Sequence, residues 1–408
     1  MRKQLHIILL PIILSSAAGA VLLVGFANHA HAASGSQEAP PQASAPAAAL
    51  NGETTPLPGP YRSALPLANE QQFTAAEKLA KGSAPTGARG ASASSVSGPP
   101  AGGEEPAAFG SSTAPYTTAR VAVTVLGNSS TTANTPVTSY PYRATGKLYF
   151  KKPNGLTYIC SASLIKQGIL VTAAHCVHTY GGGSTGWYNS FVWCPANTSS
   201  AGGVYGCYTA ASPRILTPYY NGNDVCTQAG VVCNNDIATL RVLPKNGIHA
   251  GTTVGWYAYG WNGYSYRASG FLGNVTTVQT TQLGYPGAFD SGFQMQRTEA
   301  VGWYYTSGNL KNTQIGSAQT GGSSGGPWLV NFGTVPSVDT AKASRGSQTV
   351  QAVVGVTSYG STTIGYNRQG ASFFGQNSAY PGADYGGYGA GNIGLLVRDT
   401  CTAWPTYC

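Results

Sequence analysis

The sequence predicts an all-β protein with enough strand for two barrels, preceded by a long segment that builds no core. Three observations predict this. Only 9% of the residues are charged, while 55 are glycine and 25 are tyrosine, so Gly, Ser, Thr, Asn and Tyr must cover most of the outside. That pattern suits extracellular β-rich proteins and not cytosolic helical ones. Short β-type runs recur after Tyr116, at 121–126, 147–150, 169–172, 191–194, 237–242, 254–259, 327–330 and 350–357, parted by Gly, Asn, Pro and Ser. Short strands at such spacing, bounded by turn residues, indicate a sandwich or barrel. The roughly 290 residues that remain exceed one such barrel and suit two. A domain over 116–408 is expected, with a first barrel over about 116–248 and a second over about 249–408.

Residues 1–32 read as a secretory signal. Arg2 and Lys3 form a positive n-region, an apolar run follows from Ile7 to about Phe26, and Ala30-His31-Ala32 offers a small-x-small cleavage site. A retained membrane anchor is the competing reading. Pro11, Ser15 and Ser16 interrupt the apolar run and favour cleavage, so no membrane association is expected afterwards. From 33 to 115 the chain is dominated by Ala, Pro, Ser, Gly and Thr. Such a stretch cannot bury enough apolar surface to offset its ordering entropy. It is expected to be a largely disordered pro-region or linker, with one short helix candidate at 67–81.

Export gives the eight cysteines a meaning, because in an oxidising compartment they pair as four disulfides. Eight cysteines allow about 105 connectivities. Sequence proximity suggests Cys160–Cys176, Cys194–Cys207, Cys226–Cys233 and Cys401–Cys408. No Cys-x-x-Cys or close Cys/His quartet appears, so no metal is expected. The net charge of +9 is spread over single Lys and Arg residues, adjacent beyond the leader only at Lys151-Lys152. No basic stripe could track phosphates, which argues against nucleic acid as a partner.

Three segments carry chemistry. In Val171-Thr172-Ala173-Ala174-His175-Cys176 a β-run ends in two small residues and a histidine. A cystine on the next residue would pin that turn, as a catalytic base requires. In Thr320-Gly321-Gly322-Ser323-Ser324-Gly325-Gly326-Pro327 glycines flank a serine and allow φ > 0 and close approach of backbone to substrate. The N–H groups of Gly322 and Ser324 can then converge as an oxyanion hole. In Asn234-Asn235-Asp236-Ile237-Ala238-Thr239-Leu240 an aspartate opens an apolar strand, where burial beside the histidine would fix the imidazole tautomer. Asp224 is a rival for that role, but it lies in a Gly/Asn-rich loop. His178 and His249 are expected to be surface or loop residues without a catalytic role.

TAAHC at 172–176, DIATL at 236–240 and GGSSGGP at 321–327 resemble the signature blocks of the chymotrypsin/trypsin-like serine protease family, in the same chain order. The similarity is closest to the bacterial and fungal branch and covers about residues 140 to 360. It implies two perpendicular antiparallel β-barrels, with His175 and Asp236 from the first and Ser324 from the second. It also implies a Cys160–Cys176 disulfide, a peptide-binding edge at Ser358-Tyr359-Gly360 and an S1 pocket near Ala318 and Gln319. The implied activity is that of a secreted, monomeric endopeptidase acting on protein or peptide substrates without a cofactor.

Two departures matter. Animal digestive members carry an aspartate before the nucleophile, which pairs with a newly freed N-terminus; here that residue is Ser323. Activity is therefore expected with varied N-termini around Ala114 to Arg120, provided Val121 onward is intact. Trypsin-like cleavage wants an acid near Ala318, and glutamate-specific relatives carry a histidine where Thr357 stands. A neutral pocket for an apolar P1 side chain is expected. A catalytically silent relative acting as a secreted binding module is the alternative, and an esterase with the same triad a third reading.

Overall fold

The computed structural model describes residues 36–38, 114–123, 136–261, 277–334, 351–360, 367–375 and 391–408. The expected leader, and the expected helix at 67–81, lie outside them. Strands follow in the order β1 (Ser36–Glu38), β2 (Tyr116–Arg120), β3 (Thr145–Lys151), β4 (Thr157–Lys166), β5 (Ile169–Thr172), β6 (Asn189–Pro195) and β7 (Tyr208–Leu216). After a short helix α1 (Thr217–Asn221) come β8 (Cys226–Gln228), β9 (Val232–Cys233), β10 (Ala238–Val242), helix α2 (Ala250–Val254) and β11 (Ala258–Tyr259). The second half holds β12 (Thr277–Gly284), β13 (Gln296–Ser307), β14 (Leu310–Gly316), β15 (Pro327–Val330), β16 (Ala352–Val356), β17 (Tyr359–Gly360), β18 (Arg368–Ser372) and a closing helix α3 (Asn392–Ala403).

The first sheet runs β7-β10-β5-β4-β3-β6, and β6 pairs back on β7 to close the barrel. Closure needs strands that bury one face and bend at small residues. Leu148, Ala162, Leu164, Leu170, Trp193 and Leu240 fill the interior. Trp193 sets the spacing, because a β-carbon on the neighbouring Gly146 would stand 2.5 Å from its Nε1. That nitrogen donates to Ala162 O at 3.1 Å, so the ring is buried without an orphaned polar atom. β1 lies antiparallel on the C-terminal half of β7.

The second sheet runs β11-β16-β15-β12-β13-β14-β18-β17 as a curled half-barrel, with β2 pairing β13. Its strands are richer in Thr and Gln, and their amides bond to one another inside the sheet. Gln282 and Gln369 are fully buried and share a hydrogen bond. The closing helix α3 returns to the first barrel, where Ile393, Leu396 and Val397 join the cluster of Ile215 and Leu240. Thr239 Oγ1 meets Thr400 Oγ1 at 2.8 Å.

Three expectations are corrected. Tyr116–Arg120, assigned to the first barrel, is a strand of the second sheet, with Arg120 opposite Gln296 and Tyr116 opposite Ala300. Likewise α3, assigned to the second barrel, packs on the first. The run at 254–259 is not one strand. It begins at the end of α2, breaks at Gly255 with φ +74°, and leaves only β11. Of the run at 121–126 only 121–123 is described, directly after β2, and the rest lies outside the described residues.

Lys147 is 1% exposed and sits opposite Ser161 in the β3–β4 ladder. Among the described residues its ammonium lies over the rings of Phe293 at 4.4 Å and Tyr149 at 5.1 Å. Burial pushes it down to about 7. Between that value and 10.5 the unfolded chain holds a proton that the folded one has released, so stability rises with pH across this window. Lys147→Met should raise the melting midpoint at pH 7 by about 3 °C, with the gain shrinking toward pH 10. Equal midpoints for both proteins from pH 7 to 10 would show that the amine is solvated.

Candidate active site

β5 ends at Thr172, and Ala173 continues extended with φ −80° and ψ 147° before a single 3-10 turn, Ala174–Cys176. Both alanines are wholly buried, which only small side chains allow in so tight a turn. Cys176 is bonded to Cys160 of β4. From Gly168 to His178 every residue is buried except His175, so the segment opens at the imidazole alone.

Asp236 is completely buried and precedes β10. Its Oδ1 accepts the His175 backbone N–H at 2.8 Å and its Oδ2 lies 2.7 Å from Nδ1. An ionised carboxylate only accepts, so Nδ1 carries the hydrogen and Nε2 is left as the basic nitrogen. Ser358 Oγ–H donates to the same Oδ2. The Asp236 N–H donates to Ser372 Oγ at 2.9 Å, and that hydroxyl donates to Cys233 O at 2.8 Å.

The turn around Ser324 shows the same economy of exposure. From Gly321 to Val330 only Ser324 is partly open. The N–H groups of Ser323, Gly325 and Gly326 donate to Thr320 O, Thr357 O and Ser323 O at 3.1, 2.7 and 2.8 Å. Those of Gly322 and Ser324 donate to no acceptor among the described residues. Gly322 has φ +98°, a conformation that glycine adopts without steric cost. Such a pair is suited to an anionic oxygen.

Backbone contacts bring the two segments together. Ser161 N–H donates to Ser324 O at 2.7 Å, and Ser161 Oγ donates to Gly322 O at 2.8 Å. Gly325 lies so close to β5 that a β-carbon there would stand 1.9 Å from Thr172 Oγ1 and 3.0 Å from Ala173 N. Ser324 thus adjoins a residue packed two positions before His175.

The remaining expected residues divide. Ala318 is partly open, but Gln319 is fully buried, with Nε2 3.2 Å from Thr298 Oγ1. Its amide points into the second sheet. Tyr359 and Gly360 pair with Gly370 and Gln369, and Ser358 N–H donates to Gly370 O at 2.9 Å. Thr357 Oγ1 accepts from Trp328 Nε1 at 3.0 Å and Gln282 Nε2 at 2.8 Å, which leaves it inside the sheet. Ser323 is buried and donates to Thr320 O at 2.7 Å.

All four disulfides pair by sequence proximity: Cys160–Cys176, Cys194–Cys207, Cys226–Cys233 and Cys401–Cys408. Asp224 takes no part in the histidine pair. Its carboxylate accepts Asn235 N–H at 2.8 Å and Asn235 Nδ2–H at 2.7 Å. Burial, with a smaller push from the Asp236 charge, raises it to about 7. His178, expected at the surface, is buried with Nε2 2.8 Å from Gly183 O, and its ring packs edge-on against Trp187. His249 packs edge-on against Tyr407.

Ser161, Ser372 and Gln369 were missed by sequence reasoning. Each is a common residue type without a motif, and each acts across more than 100 residues or through a neighbour in the sheet. Two clusters of possible metal ligands exist among the described residues, Cys160-His175-Cys176 and Asp224-Cys226-Cys233. In both, the sulfurs are joined as disulfides and offer no thiolate.

The barrels and this constellation define a chymotrypsin-type protein. Residues 131–372 match the trypsin family, and the chain belongs to it. It is 31% identical over 136 residues to an extracellular metalloprotease of Bacillus subtilis (strain 168), a match over 33% of this chain. The match spans only 38% of that relative's length. Similar solved structures include the thermostable serine protease AL20 from an extremophilic microorganism, at 24% identity and TM-score 0.42, covering 57% of this chain and 92% of that one. Protease Anisep from Arthrobacter nicotinovorans is similar at 22% identity and TM-score 0.43, covering 59% and 97%.

Gly325→Ala tests the contact between the two segments. Its φ of +78° and the lack of space for a β-carbon should cost about 3 kcal/mol or more, read from denaturant unfolding. A variant as stable as the parent would mean that the Ser324 turn stands free of β5.

Proposed function

We propose that the chain is a secreted serine endopeptidase with Ser324 as nucleophile, His175 as base and Asp236 as the partner that orients it. One observation supports this most. Two segments otherwise fully buried open at a single residue each, His175 and Ser324, and the N–H groups of Gly322 and Ser324, unpaired among the described residues, belong to the second.

The chemistry follows from these atoms. Ser324 Oγ attacks the scissile carbonyl carbon while His175 Nε2 takes its proton. The carbonyl oxygen becomes an oxyanion held by the N–H groups of Gly322 and Ser324. Collapse breaks the C–N bond, and the imidazolium gives its proton to the leaving amine. Water then attacks the acyl-enzyme, yielding its proton to His175, and the released serine recovers that proton. Asp236 holds Nδ1–H throughout and stabilises the imidazolium. The metal implied by the name of the Bacillus subtilis relative finds no fitting donor set in either disulfide cluster. Four disulfides support an oxidising, extracellular setting.

Specificity follows from neutrality. Ala318 is partly open and uncharged, and the groups buried in the sheet around it, Thr357 and the amides of Gln282, Gln319 and Gln369, are neutral as well. Uncharged P1 residues should dominate the cleavages of a peptide library; a preference for Lys, Arg, Asp or Glu would refute the neutral pocket.

Labelling with a fluorophosphonate probe tests the central claim. The wild type should label, and Ser324→Ala and His175→Ala should not. Ser324→Ala should lower kcat on the order of 10⁶-fold, and Ser323→Ala far less. A folded, disulfide-intact wild type that takes no label would put the secreted binding module in place of the enzyme.

A further inference from the structure

Ser323 leaves no acid for a buried terminal ion pair, yet the turn it belongs to is well fastened. The fastening comes from β2, just downstream of the low-complexity segment. Arg120 grips Asp290 with two parallel hydrogen bonds, Nε to Oδ2 at 2.9 Å and Nη2 to Oδ1 at 2.6 Å. Gln296 Nε2 adds a third donor to that carboxylate at 2.8 Å. Asp290, Ser291 and Gly292 hold φ values of +48°, +52° and +68°, a costly run for two residues that are not glycine. Such strain persists only where surrounding contacts over-determine it.

The loop so held reaches the oxyanion turn. Gly287 N–H donates to Gly321 O at 2.7 Å, and Ala288 N–H donates to Thr320 Oγ1 at 3.1 Å. Those acceptors immediately precede Gly322. A second line from the same strand reaches the S1 wall: Ala318 N–H donates to Thr118 Oγ1 at 3.3 Å, and Thr118 Oγ1 meets Thr298 Oγ1 at 2.8 Å. Ala114 O lies where a β-carbon on Gly316 would stand 2.4 Å away.

We infer that β2 sets the working geometry of the oxyanion turn and S1 wall, with Arg120 and Thr118 as positioning residues acting through Asp290 and Ala318. This rests on the serine-peptidase reading above. It also replaces the expectation that any terminus between Ala114 and Arg120 would serve, because a cut inside the strand removes one or both lines of contact. No free amino group is required, since the strand pairs with β13 through its ladder and side chains.

The test uses the full chain and a fluorophosphonate probe, separating the maximal labelling rate from the probe concentration at half-saturation. Arg120→Ala should lower the maximal rate roughly tenfold and shift half-saturation less than about twofold, because a misplaced oxyanion turn weakens the transition state most. Asp290→Asn, which tolerates the left-handed backbone, should do the same. The double variant should lose little more than either single one, and Arg120→Lys should recover much of the rate. The melting midpoint should stay within a few degrees of the parent. Variants that label at the parental rate would overturn the inference, as would rate losses that only track unfolding. A wild type that takes no label would instead overturn the peptidase reading, and this inference would fall with it.

Discussion

The dipeptide Cys160-Ser161 is the point on which the two halves of the site meet. Cys160 is bonded to Cys176 and so fixes the turn that carries His175. Ser161 makes four hydrogen bonds: its N–H to Ser324 O, its Oγ–H to Gly322 O, its O from Thr172 Oγ1, and its Oγ from Tyr285 N–H. Two of these tie the Ser324 turn to the first barrel, one ties Ser161 to the strand before His175, and one holds the exit of β12. For the proposed base and nucleophile to stay within reach of each other, the two sheets must hold their places at this seam. A single β4 residue supplies that constraint because its neighbours face the barrel core and cannot slip by one position without reversing every side chain.

This arrangement explains how much of the site is legible in the sequence. His175, Asp236 and Ser324 announce themselves because the local chemistry of each leaves a pattern: small residues before a histidine, an aspartate before an apolar strand, glycines around a serine. The paired cysteines follow from proximity for a similar reason, since each bridge closes a short loop or hairpin. Ser161 leaves no pattern, because its partners lie 161 and 124 residues away and any small polar residue reads alike there. β2 is obscured differently. Tyr116–Arg120 shows none of the apolar density of the next six residues, and it becomes a strand only because β13 offers it an edge.

The same distinction separates the barrels. β5 and β15 are short and apolar, and the sequence marks both at their observed limits. β12 and β13 are longer but begin in polar runs, TVQTTQ and QRTE, where an alternation rule sees little to bury. Their polar side chains satisfy one another instead. Gln282 donates to Thr357 and accepts from Ser317 Oγ at 2.7 Å, while Gln369 donates to Gln319 O at 2.7 Å. A buried amide costs free energy only while it is unpaired, so such a network can replace an apolar core.

Asp236 then poses the sharpest energetic question, being a wholly buried carboxylate with no Lys or Arg paired to it among the described residues. A buried charge is tolerable only when its lone pairs are filled. Here three donors fill them: His175 N–H, His175 Nδ1–H and Ser358 Oγ–H. The loop ahead of it must hold that geometry without help from a counter-charge. It does so through covalent and amide fastenings, with Cys226 bonded to Cys233, Asn234 Oδ1 accepting Lys311 N–H at 2.6 Å, and Asn312 Nδ2 donating to Cys233 O at 2.8 Å. Asp224 adds its own carboxylate to Asn235, one residue from Asp236, and the nearby charge helps keep that second acid protonated to a higher pH. A loop rich in Asn and Cys rather than Arg therefore holds Asp236 in place, while His175 and Ser358 supply the donors that meet its carboxylate.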